Sequence, residues 1–90
     1  MDMYKVKVVF EFGEGYISKI LVEEFDTEDE TNFFLLHASK VKKIAYKNVS
    51  YAKLLEITED IGLAQYWLEN WLYVPEYGYG HIAYVEKSVK

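Results

Sequence analysis

The sequence predicts an α+β domain. It should hold an antiparallel sheet, built from an N-terminal hairpin plus a C-terminal strand, with two helices packed on one face. Three observations carry this reading. Residues 4–12 alternate apolar and polar with period two, an acidic run at 23–30 leads into a helical pattern ending in lysines, and residues 81–89 alternate again. The expected order is β-β-α-(β)-α-β, the bracket marking a fourth strand within residues 49–57.

In the first strand, Tyr4, Val6, Val8, Phe10 and Phe12 fall on one face, with Lys5, Lys7, Val9 and Glu11 on the other. Gly13-Glu14-Gly15 interrupts the alternation, and glycines supply the positive φ a tight hairpin needs. Residues 16–25 return to strand character through Tyr16, Ile17, Ile20, Val22 and Phe25. Thr27 and Glu30 have capping-box spacing, Glu28, Asp29 and Glu30 suit the first turn, and Lys40, Lys42 and Lys43 suit the last. One helix over about residues 28–42 satisfies all three signals.

Residues 44–57 are mixed. Val49 and Tyr51 favour extended structure, which places the fourth strand, whereas Ala52 to Glu56 favour an early start of the next helix. Thr58 is the expected cap of the second helix, whose apolar stripe is Ile61, Ala64, Leu68, Trp71 and Leu72, with Tyr66 opposite. Pro75 follows as a stop. A glycine–tyrosine loop spans residues 76–80. In the last strand, strict alternation puts Ile82 and Tyr84 on one face and Ala83, Val85, Lys87 and Val89 on the other.

A chain of 90 residues that is 51% hydrophobic supports one domain, residues 1–90, with its own core. With no cysteine, disulfide scaffolds, thiol nucleophiles and Cys-based zinc or iron–sulfur centres are excluded. No apolar run approaches the roughly 20 residues of a membrane span, and no signal peptide is visible, so a cytoplasmic protein is expected. His37 and His81 are far apart, and residues 23–30 lack the spacing and central glycine of a calcium loop. No metal and no cofactor are therefore expected. The serines occupy no Gly-x-Ser-x-Gly elbow, and neither Gly13-x-Gly15 nor Gly78-x-Gly80 opens a helix, so no enzyme is expected either.

The net charge is −5, and all ten basic residues are lysines. Arginine's bidentate fork is missing, and net negative charge opposes counterion-release binding, so duplex DNA is not an expected partner. Two features point instead to a protein partner. Glu23, Glu24, Asp26, Glu28, Asp29 and Glu30 place six carboxylates in eight positions. Tyr66, Trp67, Trp71, Tyr73, Tyr77, Tyr79 and Tyr84 place seven aromatics within nineteen residues, more than a core of this size encloses. Those six acids with Tyr66, Tyr73, Tyr77 and Tyr79 are the expected partner contacts. The expected function is a small acidic binding module without catalytic activity. In its sharpest form it is a virus- or mobile-element-encoded inhibitor that covers a host protein's nucleic-acid site, its acidic run imitating phosphates. The alternatives are a nucleic-acid-associated protein using the block Lys40, Lys42, Lys43 and Lys47, and a structural homo-oligomer, with a homodimer as the default state.

Overall fold

A computed structural model describes residues 3–89. Strands β1 (Tyr4–Phe12) and β2 (Ile17–Phe25) form the expected hairpin, in register from Tyr4 opposite Phe25 to Phe12 opposite Ile17. Its turn is left-handed throughout, with φ of 55° at Gly13, 60° at Glu14 and 94° at Gly15. Gly13 is needed for a second reason: the Tyr77 ring lies against it, and a Cβ there would stand 2.5 Å from the ring. Strand β5 (His81–Val89) pairs with the free side of β1, giving the antiparallel order β2-β1-β5.

The inward face of β1 is the centre of the core, with Val6, Val8, Phe10 and Phe12 all buried. Pairing with β5 slips between Val9 and Phe10: Val9 faces Tyr84, whereas Phe10 faces Ile82. Ala83 is the extra residue of a β-bulge. The bulge corrects the alternation expected for this strand. Ile82 and Val85 both pack on the core side, and Tyr84 turns outward and is exposed.

Helix α1 (Glu28–Val41) begins as its sequence signals require. The Thr27 hydroxyl accepts from the Glu30 N–H at 3.2 Å and donates to the Glu30 carboxylate at 2.9 Å. Phe34, Ala38 and Val41 are the buried apolar residues of α1.

Residues 51–58 are not a strand but helix α2 (Tyr51–Thr58), which corrects the fourth-strand expectation. Ser50 caps it, accepting from the Lys53 N–H at 3.1 Å, and Leu54 is fully buried. A cap and a buried leucine outweigh the extended preference of Val49 and Tyr51. Thr58 is accordingly no cap: it ends α2, and its hydroxyl donates to the Leu54 carbonyl. Glu59 turns the chain in the left-handed region at φ 55°, and Asp60 caps α3 (Ile61–Asn70) by accepting from the Leu63 N–H. The described residues thus form three α-helices rather than two.

The buried stripe of α3 also differs from the expected one. Ile61 is 62% exposed, whereas Trp67 is completely buried between Ala64 and Trp71. Beyond α3, β3 (Tyr73–Val74) and β4 (Gly78–Tyr79) make a small hairpin out of the glycine–tyrosine segment, with Pro75 in its turn. The Trp71 indole N–H donates to the Gly80 carbonyl at 2.8 Å and anchors this hairpin to the core. Ring contacts then run without a break through the protein. Phe10 meets Trp71 edge-on, Trp71 meets Trp67, Trp67 stacks on Phe34 at 5.3 Å, and Phe34 meets Phe25.

Candidate functional site

The residues expected to contact a partner separate into two groups at opposite ends of the hairpin. One lies where β1 begins and β2 ends, the other at the Gly13–Gly15 turn. The nine residues of β1 put about 27 Å between them.

The first group surrounds a hollow of about 530 Å³ between the end of β2, the first half of α1 and α3. Strand periodicity explains one wall. Glu23 is opposite Val6, so it shares the inward face with Leu21 and Phe25. β2 is an edge strand, and there a carboxylate can face inward at the margin of the core. Helical periodicity explains another wall. Phe33 and His37 are one turn apart, their rings 4.4 Å from each other, and the His37 Nδ1–H donates to the Phe33 carbonyl. Phe33 is 55% exposed, an apolar side chain held out beside Asp29 and Glu30.

Helix α3 contributes Leu63, Tyr66 and Trp67. The Tyr66 ring packs edge-on against Phe34 and Trp67, which corrects its expected place opposite the apolar stripe: it is half-buried. Its hydroxyl and the Trp67 indole N–H are both buried, and neither makes a hydrogen bond within the protein. Burial pushes the Tyr66 phenol well above its ordinary range, and the nearby Glu23 carboxylate adds to the shift. Glu23 approaches this hydroxyl without closing a bond of good geometry. Buried polar groups are normally paired, so two orphans on adjacent residues are unusual.

Of the expected acids, Glu23, Asp29 and Glu30 line the hollow. Glu24 points to the other face of the sheet, Asp26 lies in the connection to α1, and Glu28 starts that helix; these three do not line it. Sequence reasoning missed Phe25, Phe33, Phe34, His37, Leu63 and Trp67 as lining residues. The spacing of Phe33 and His37 was a usable signal, but it does not reveal which helix faces them.

The second group centres on the tyrosines. Tyr77 and Tyr79 border a separate cleft of about 500 Å³ with Tyr46, Glu11, Glu14 and His81. Tyr73 stands edge-on to Tyr79 at 5.2 Å and is 56% exposed. The expected aromatic surplus is therefore carried at the surface by tyrosines, while both tryptophans are buried.

Among the described residues, no group of three or more His, Asp or Glu side chains is placed to hold a metal ion. No helix among them is long and apolar enough to cross a membrane. The chain matches no protein-family model, no curated protein and no solved structure.

Proposed function

We propose that this protein is a non-enzymatic binding module that recognises a basic segment of another protein at the hollow between β2, α1 and α3. One observation carries the reading. Glu23, Asp29 and Glu30 meet Tyr66, distant from them in sequence, and the exposed Phe33 around a single concave surface. Apolar walls supply contact area, and carboxylates at the rim select the sign of the partner's charge. A carboxylate and a cation about 4 Å apart gain only about 1 kcal/mol in water, so the rim steers and selects while the walls hold. A protein surface built to grip nucleic acid offers the required lysines, and covering it is the inhibitory role that the acidic run suggests.

Chemical-shift mapping on ¹⁵N-labelled protein tests this. A lysine-rich peptide at about 150 mM salt should perturb residues around Glu23, Asp29 and Phe33, and a glutamate-rich peptide should not. Perturbation spread evenly over the surface, or none, would refute it. Self-pairing would use the other end, where Tyr73 and Tyr77 are exposed. Sedimentation of the wild type beside a Tyr77→Ser, Tyr79→Ser variant tests that use, and a monomeric wild type would exclude it.

A further inference from the structure

We infer that the hollow seats one lysine side chain of the partner segment, its ammonium group between the Glu23 carboxylate and the surrounding rings. This rests on the binding reading above and names what enters the site. Four observations converge on it.

The charged side chains lining the hollow are Glu23, Asp29 and Glu30, and no lysine lines it. An anionic group would meet three carboxylates there, and a cation meets no competitor. The walls are aromatic: Phe25, Phe33, Phe34 and Tyr66 all border the space. Ring faces attract ammonium groups through their quadrupoles, and more strongly where water is excluded. Phe33, which is 55% exposed, and Leu63 add apolar lining beside the carboxylates, which suits a flexible hydrocarbon stem carrying its charge at the tip. Finally, the Glu23 carboxylate borders the space beside the Tyr66 hydroxyl, which is closed off from solvent, so the carboxylate is the acceptor that an ammonium, with three N–H groups to give, can reach.

The Trp67 indole N–H cannot accept from an ammonium. It serves as a reporter, since it lies in a residue that lines the hollow, whereas the Trp71 N–H is engaged by Gly80.

The test uses ¹⁵N-labelled protein and an end-capped pentapeptide with one central lysine among glycines and serines. A second peptide has norleucine at that position, matching the stem without the charge. The lysine peptide should move the Trp67 indole signal and the backbone amides of Phe33 and His37, and the norleucine peptide should bind at least tenfold more weakly. Glu23→Gln should weaken the lysine peptide at least fivefold. Glu69→Gln, which removes the same charge from an exposed position of α3 outside the hollow, should change it less than twofold. Thermal melting confirms that both variants are folded. Equal binding of the two peptides, or equal effects of the two substitutions, would overturn the lysine seat. If a lysine-rich peptide still perturbed the rim in that event, the broader reading would stand; if it perturbed nothing, both would fall.

Discussion

Gly80 has no room for a side chain. A Cβ there would lie 2.7 Å and 2.9 Å from two ring atoms of Phe12 and 3.1 Å from the Phe10 Cβ. Both phenylalanines are buried, at 2% and 0% exposure, so neither can swing into solvent. Gly80 also holds two hydrogen bonds, its N–H donating to the Leu72 carbonyl at 3.0 Å and its carbonyl accepting from the Trp71 indole at 2.8 Å. Gly80→Ala must therefore overpack the core or push the β3–β4 hairpin away. Overpacking costs about 1–3 kcal/mol. Moving the hairpin strands a buried indole N–H, at about 1–3 kcal/mol. We expect a loss of about 1–3 kcal/mol by either route, against a stability of roughly 5–13 kcal/mol for a chain this long. Urea unfolding followed by tryptophan fluorescence measures it, and the melting temperature should fall by roughly 5–25 °C. Phe12→Leu removes the obstructing ring atoms, so in that background Gly80→Ala should cost at least about 0.5 kcal/mol less. An unchanged midpoint for Gly80→Ala, or the same cost in both backgrounds, would refute the packing argument.

Three further outcomes are expected. Asp60→Ala removes the cap of α3 and should cost about 1 kcal/mol in denaturant unfolding; no change would mean that α2 and α3 are not separately capped. Tyr66 should stay neutral above about pH 10, where an ordinary tyrosine ionises. Its contribution to stability is complete below that pH and is lost as pH rises towards its raised folded value. Tyrosinate absorbance should therefore show a deficit that disappears on denaturation and in Tyr66→Phe, and a deficit surviving in that variant would contradict the assignment. At about 150 mM salt the protein should not retard duplex DNA in a gel, given its charge of −5; retardation at micromolar protein would favour the lysine block.

The hairpin and α1 were legible because their signals are local: period two with glycines at the turn, and Thr27 three residues before Glu30. What stayed hidden depended on partners distant in the chain. The Ala83 bulge follows from how β5 meets β1, and nothing within residues 81–89 announces it. Residues 49–58 carried competing local signals, Val49 and Tyr51 against Ser50 and Leu54, and burial of Leu54 in the tertiary core decides between them. The left-handed turn at Glu59 moved the cap from Thr58 to Asp60, because a glutamate gives little warning of a positive φ. On α3, the consecutive apolar residues Tyr66, Trp67 and Leu68 leave the buried face open until Phe34 stacks on Trp67. The candidate site shows the same division. Alternation along β2 places Glu23 with Leu21 and Phe25, but only packing brings Tyr66 to it. The six acids read as one block in sequence, and the strand-to-helix junction at 25–28 divides them.

The most direct test of the binding account is an isotope-filtered NOE experiment on the complex with the single-lysine peptide. Contacts from the lysine ε-methylene protons to the rings of Phe33 and Tyr66 are the predicted result. Contacts from those protons to Tyr77 or Tyr79 instead, at the far end of the hairpin, would contradict it.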